Sequence, residues 1–389
     1  MKIGILTFHR PINYGAFLQA YSLSNELHQR VLSCEVSIID YIAPAEKSKI
    51  YINILRTLKH NGVINAFRDI KKVCVFGNAQ GNLHTTKIPR IGSNLISFYT
   101  WIDLNFDLLV IGSDAVFNWN QNGYPTAFIP EYNFGKCRVV SYAASVHGLR
   151  FMEEDRSRLE QCGRTFSKME FLGVRDLCTE QFVRECLPSS EPIHCCDPTL
   201  VIDVEKVHKL AGNYIKRVYK KYQCDLQKKY IVLMLPDGKI SESMRKKYAK
   251  DYNIITLFKP SKDADYYLYD LNPFEWATVL ADASLVVTSY FHGSLLSLVQ
   301  NTPVISVDYS NYSDAPYEGK LKDLFERRLS LPELYFEASV EKNDELILQL
   351  LNIADAGLRG DFADRITRGV QKESKSMNAF FEYLQNVKC

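Results

Sequence analysis

Asp282-Ala-Ser-Leu-Val-Val-Thr-Ser-Tyr-Phe-His-Gly-Ser-Leu-Leu-Ser-Leu-Val-Gln-Asn-Thr-Pro-Val-Ile-Ser-Val-Asp-Tyr309 decides how this chain folds. Leu285, Val286 and Val287 form a short apolar run, the pattern of a strand covered on both faces of a parallel sheet. Thr288 and Ser289 end it. His292 and Gly293 open a helical stretch that stops at Asn301-Thr302-Pro303, and Val304 to Val307 is the next strand. The unit is β-α-β, with a small-polar turn and a histidine where the helix begins. Open α/β sheets bind ligands at the carboxyl ends of their strands, and a helix N-terminus there offers N–H groups and partial positive charge to an anion. His292 either caps an ordinary helix or works in a site, and this unit alone does not choose between them.

The rest of the composition narrows the classes. At 389 residues the length favours two domains, and 46% hydrophobic with 12% aromatic residues suits a well-cored enzyme. A net charge of +2 gives no case for nucleic acid. No apolar run approaches the roughly 18 residues that cross a bilayer. The chain enters a strand at Lys2–Phe8 without a cleavable leader. Its ten cysteines are scattered and contain no C-x-x-C pair, so reduced thiols and a cytoplasmic location are expected. His194-Cys195-Cys196-Asp197 has metal-ligand residue types, but adjacent strand residues point to opposite faces, and no metal is expected there.

Along the chain, Lys2–Phe8 reads as a strand, His9–Gly15 as a turn, Ala16–Gln29 as an amphipathic helix and Glu35–Tyr41 as a second strand. Residues 44–105 break the rhythm. Ile50, Ile54, Leu55, Leu58, Val63, Ile64, Phe67 and Ile70 give apolar faces ringed by Lys47, Lys49, Arg56, Lys59, Arg68, Lys71 and Lys72. They read as surface helices packed on the sheet, or as a basic amphipathic surface for anionic lipid or a lipid-linked acceptor. Leu108–Ile111 with Ser113, Asp114 and Asn118, Arg138–Gly148 with Ser145 and His147, and Phe171–Asp176 with Arg175 each place polar groups after a strand. His147 reads as a surface residue. Glu153–Met169 and Leu177–Cys186 are helices. Glu205–Tyr222 reads as one amphipathic helix which, with Gln223–Lys229, crosses between domains. A second α/β domain follows, with strands Tyr230–Leu235 and Ile254–Phe258, helices Ser241–Lys250 and Pro273–Ala283, and then the opening unit. The loop Asp308–Tyr317 reads as cleft-lining, Lys320–Arg328 and Glu341–Ile353 as helices, and Asp361–Val387 as one long helix packing back. The expected division is 1–204 with the 44–105 insertion on the acceptor side, 205–360 on the donor side, and 361–389 returning to the first domain.

Six blocks carry a resemblance. They are Asn13-Tyr14-Gly15-Ala16 with Gln19, Gly112-Ser113-Asp114 with Asn118, Ser141–Ser145, Val174-Arg175-Asp176, Asp197–Leu200, and Ser289-Tyr290-Phe291-His292-Gly293-Ser294. In this order and spacing the chain resembles the polysaccharide pyruvyl transferase family over nearly its whole length. The resemblance implies an α/β, GT-B-like pair of Rossmann-type domains facing across a cleft. It also implies transfer of the enolpyruvyl group of phosphoenolpyruvate onto sugar hydroxyls as a cyclic ketal, with no cofactor beyond that donor. Some relatives carry an arginine two residues before the histidine. This chain has Tyr290 there, so a phosphate bound by that arginine needs another cation here, or the donor differs.

That chemistry requires an anion holder, a proton donor to the methylene carbon and an acceptor for the hydroxyl proton. Arg175, with the N–H groups of Gly293 and Ser294, is the expected anion holder, because a guanidinium grips carboxylate or phosphate bidentately. His292 is the expected general acid/base or phosphate partner. Asp114 or Asp176 orients or deprotonates the sugar, although Asp176 equally suits the cap of the helix after it. Asn13, Tyr14, Gly15, Ser113, Asn118, Ser145, Ser289, Gly293 and Ser294 are the expected substrate contacts. The expected partners are phosphoenolpyruvate, a sugar acceptor that is lipid-linked or polymeric, and the inner face of an anionic membrane, with no nucleic acid. Two other readings stand beside this one: a GT-B glycosyltransferase using a nucleotide-sugar, and a non-catalytic glycan-binding relative.

Overall fold

The apolar runs Leu108–Ile111, Tyr230–Met234 and Leu285–Val287 become buried parallel strands in two sheets. The computed structural model describes residues 1–42, 44–88, 94–149, 155–309 and 319–387. The first sheet contains β1 (Lys2–Leu6), β2 (Glu35–Ile39), β3 (Thr85–Thr86), β4 (Leu108–Ile111), β5 (Arg138–Ala144), β6 (Phe171–Val174) and β7 (Ile193–His194), in the order β3-β2-β1-β4-β5-β6-β7. The second contains β8 (Tyr230–Met234), β9 (Asn253–Leu257), β10 (Tyr266–Leu268), β11 (Leu285–Thr288), β12 (Val304–Asp308) and β13 (Tyr335–Glu337), in the order β10-β9-β8-β11-β12-β13. All pairings are parallel. In each sheet the order reverses beside the first strand, so β1/β4 and β8/β11 each open a crevice at their carboxyl ends. Val286 and Val287 are fully buried, and each contributes about 1.5–3 kcal/mol by leaving water.

The two halves share a core. Tyr14 Oη donates to the carbonyl of Leu271, and Phe17 and Tyr21 pack edge-on to Phe274. Asn272 heads the helix Pro273–Ala281 with a capping box through Glu275, as its sequence announces.

Several elements depart from expectation. The stretch 205–222 is two helices, Val204–Ala211 and Tyr214–Tyr222, parted at Gly212, whose φ of +60° ends the first. The final stretch is also two, Ala363–Ser374 and Asn378–Asn386, joined by a 3-10 turn at Lys375–Met377. It packs back on the first sheet. Phe380 lies against Tyr142 and Phe171, Tyr383 Oη donates to Glu170 (3.0 Å), and Glu373 meets His194 Nε2 (2.6 Å). The strands β3, β10 and β13 go unannounced because they are two- or three-residue edges without an apolar run. The residues 310–317 of the expected cleft-lining loop, and the side chains of Lys47, Lys49 and Ile50, lie outside the described residues.

Candidate active site

The carboxyl ends of the two sheets meet around a cavity of about 960 Å³. Asn13, Tyr14 and Gly15 line it from the first half, together with Asp114 and His147; Ser289, His292 and Lys320 line it from the second. Aromatic rings of Phe8, Phe258, Trp276 and Tyr290 complete the wall.

Each group is positioned by its local fold. Asn13 caps the helix Tyr14–Arg30, accepting from Ala16 N (3.1 Å), which brings Gly15 against the second half. A Cβ on Gly15 would sit 2.3 Å from the His292 ring, so the two helices touch backbone to imidazole. Gly112 has φ +122°, and a Cβ there would lie 2.1 Å from the Tyr142 carbonyl, so only glycine fits this close crossing. The chain then turns through Asp114, itself at φ +76°, and its carboxylate emerges at the cavity.

His292 opens the second-domain helix Phe291–Val299 and is 8% exposed. Its Nδ1 lies 3.4 Å from Thr199 Oγ1 and 4.0 Å from Asp197 Oδ1. Its Nε2 is buried and has no hydrogen-bond partner among the described residues. Asp197 in turn takes a 2.8 Å hydrogen bond from Arg175 Nη1, which also stands 3.6 Å from Asp114 and whose Nε is 3.7 Å from Asp176. Guanidinium and imidazole therefore flank one carboxylate, contributed from opposite halves. Burial pushes Asp114 and Asp197 upward, but nearby Arg175 and His292 outweigh it, and both stay below the ordinary carboxylate value. Burial lowers His292, against the pull of Asp197 and Asp114. The ammonium of Lys320, then burial, drives His147 well below its ordinary value.

Arg175 is 4% exposed and is not among the lining residues of this cavity; its Nη1 donates to Asp197, its guanidinium is 4.7 Å from the Phe291 ring centre, and its Nε and Nη2 have no hydrogen-bond partner among the described residues. Five expected substrate contacts are not among the residues lining this cavity. Ser113 donates to Gln19 (2.6 Å), Ser145 to Asp176 (2.7 Å), and Ser294 shares a 2.6 Å bond with Ser306. Asn118 caps the short helix Trp119–Asn122 and donates to the His147 carbonyl, and Gly293 is pressed against Met234. Asp176 is the helix cap, accepting from Thr179 N (2.9 Å). His194, Cys195, Cys196 and Asp197 part company: His194 pairs with Glu373, the two cysteines are buried, and Asp197 holds Arg175. His147 is not a surface residue, because it lines the cavity. Lys320 went unnoticed in the sequence, being one lysine in a helix of alternating charge. Its ammonium is 4.7 Å from the Phe291 ring centre.

Known folds give the same picture. Residues 13–311 match the family model described as polysaccharide pyruvyl transferase. No curated protein matches the sequence. Among solved structures, UDP-GlcNAc 2-epimerase from Neisseria meningitidis bound to UDP-GlcNAc has a TM-score of 0.57 at 11% identity, covering 99% of this chain and 100% of that one. A putative UDP-N-acetylglucosamine 2-epimerase from Listeria monocytogenes gives 0.56 at 10% identity, covering 100% and 97%. Anabaena Alr3699/HepE in complex with UDP gives 0.55 at 10% identity, covering 100% of both chains. These are similarities of fold, two Rossmann-like domains in the GT-B manner. With a family model matched over most of its length and a cleft built from that family's blocks, the chain belongs to the polysaccharide pyruvyl transferase family and is a transferase.

Proposed function

We propose that the cavity transfers the enolpyruvyl group of phosphoenolpyruvate onto two hydroxyls of one sugar, in a cell-surface polysaccharide or its lipid-linked precursor. The observation that carries this is the placement of His292: Nδ1 faces Thr199 (3.4 Å) and Asp197 (4.0 Å), and Nε2 is unpartnered among the described residues in the cavity that Asp114 also lines. Asp114 orients the acceptor hydroxyl. His292 Nε2 takes its proton as the oxygen bonds to C2 of the donor, and delivers that proton to C3, which becomes a methyl group. The C2–O bond to phosphate then breaks, the second hydroxyl closes the ketal, and its proton leaves with the phosphate. Arg175 acts at one remove, holding Asp197 against His292. The aromatic wall, in which Phe258 and Tyr290 lie 5.4 Å apart, suits the faces of a sugar ring.

The helical segment Pro44–Ala79, two helices parted by a kink at Gly62 (φ +82°), favours an acceptor presented at a membrane. Val63 and Ile64 are 73% and 72% exposed, Leu55 and Phe67 are exposed beside them, and Arg56, Lys59 and Lys71 belong to the same stretch. In the helix after the kink, which also carries Val63, Ile64 and Phe67, Lys72 lines the cavity and Phe76 stacks on Tyr14, so that apolar face leads to the site. Among the described residues no helix is long and apolar enough to cross a membrane.

Acid–base transfer by a positioned side chain is worth about 10²–10⁴ in rate. Inorganic phosphate released from phosphoenolpyruvate in the presence of acceptor sugars is expected to fall by that factor in His292→Ala. Nucleoside diphosphate released from a nucleotide-sugar, with phosphoenolpyruvate left intact, would instead identify a glycosyltransferase.

A further inference from the structure

Among the described residues, four basic side chains line the cavity: Lys72, His147, His292 and Lys320. Lys72 donates to the carbonyl of Phe258 (2.9 Å) and stands 3.5 Å from Asp69. Both histidines have lowered proton affinity. Arg175, not among these lining residues, pairs with Asp197. Lys320 has no hydrogen-bond or ion-pair partner among the described residues, and its ammonium sits beside Phe291, the first residue of the helix that bears His292. That helix is nine residues long, and Tyr290 at its cap position makes no side-chain bond to the first turn. An uncapped helix start carries partial positive charge and N–H groups suited to phosphate. His292, 8% exposed and with Nε2 unpartnered among the described residues, stands in that same first turn.

We infer that Lys320 is the counter-charge of the donor's phosphate, which sits between its ammonium and the uncapped first turn of the helix Phe291–Val299. The inference rests on the phosphoenol donor proposed above and names the group that holds it. It supplies the cation that Tyr290 does not provide, and it leaves Arg175 to its buried carboxylates. Burial and then Arg175 bring Lys320 down to about 8, while Asp114, Asp176 and Asp197 pull the other way. His147 and His292 also face it. A bound dianion stabilises the ammonium, so donor affinity should weaken as pH rises through this value.

The test is calorimetric binding of phosphoenolpyruvate, and separately of inorganic phosphate, to the full chain as wild type, Lys320→Gln and Lys320→Arg. One charge-assisted contact corresponds to about a 10- to 100-fold change in affinity. Lys320→Gln should weaken both ligands by that factor, and Lys320→Arg should recover most of the loss. Wild-type phosphate affinity should fall between pH 7.5 and 9, a readout that stands even if a variant does not fold. Unchanged binding in Lys320→Gln, an arginine variant as weak as the glutamine one, or a flat wild-type pH profile would each overturn the assignment. Phosphoenolpyruvate turnover in the wild type is scored separately. If it is absent while phosphate binding still depends on Lys320, the donor reading falls and the anion site stands.

Discussion

Gly15→Ala probes the meeting of the two halves with a single methyl group. The added carbon would lie 2.3 Å from Cγ and Cδ2 of His292 and 2.4 Å from its Cβ. Carbon atoms rest at about 3.5–4.0 Å, so more than about 1 Å must be gained. Rotating the imidazole cannot supply it, because His292 Cβ is itself one of the obstructing atoms. The helices Tyr14–Arg30 and Phe291–Val299 must part instead. Overpacking of this kind costs about 1–3 kcal/mol of stability, and a displacement of about 1 Å at a reacting group costs about 10²-fold in rate. The variant should therefore melt lower and lose about 100-fold or more in kcat/KM, read as phosphate release. Gly77→Ala is the control. Gly77 is exposed on the helical segment Pro44–Ala79 with nothing within 4 Å of a new Cβ, so stability and turnover should hold or stability should rise slightly. A Gly15→Ala enzyme as active as the Gly77→Ala one would refute the claim that the placement of His292 against the first half matters to catalysis.

Other consequences follow from the same geometry. Arg175→Ala leaves Asp197 charged and buried, and chemical denaturation should show a loss of about 3–5 kcal/mol; Arg175→Lys should rescue little, since a point charge does not span Asp197, Asp114 and Asp176. His147 and His292 both bind protons less readily folded than unfolded, so the unfolded chain takes up more protons as pH drops. Their contribution to stability is therefore complete above the ordinary histidine value of 6.5 and is lost as pH falls below it, and urea midpoints in His147→Gln should be flatter across that window. Ile64→Glu with Phe67→Glu should abolish co-sedimentation with vesicles containing anionic lipid while leaving turnover on a soluble acceptor intact; equal sedimentation would remove the membrane from the account.

Much of this fold is legible in the sequence because a strand buried on both faces must be apolar at every position. Leu108–Ile111, Tyr230–Met234 and Leu285–Val287 show it plainly, and Asn272-Pro273 marks its helix by cap and ring. Edges escape this logic: Thr85–Thr86 and Tyr335–Glu337 pair along one side only and need no apolar run. Gly212 inside an otherwise amphipathic stretch was the visible sign of a break between two helices, while the turn at Lys375–Met377 has no comparable mark. In the site, His292, Gly15 and Asp114 could be read because each stands at a strand end or helix start. Arg175 stands at one too, yet whether such a group faces the cavity or the wall depends on carboxylates distant in sequence, here Asp197. Lys320 follows no strand that the sequence reveals, and only the tertiary fold brings it to Phe291.

The most direct test is a crystal structure with phosphoenolpyruvate bound. The donor is expected in the cavity between the sheets, with its phosphate at the first turn of the helix Phe291–Val299 and its methylene carbon within reach of His292 Nε2. A donor bound elsewhere on the molecule, or lying in the cavity with His292 turned away from the reacting carbons, would contradict it.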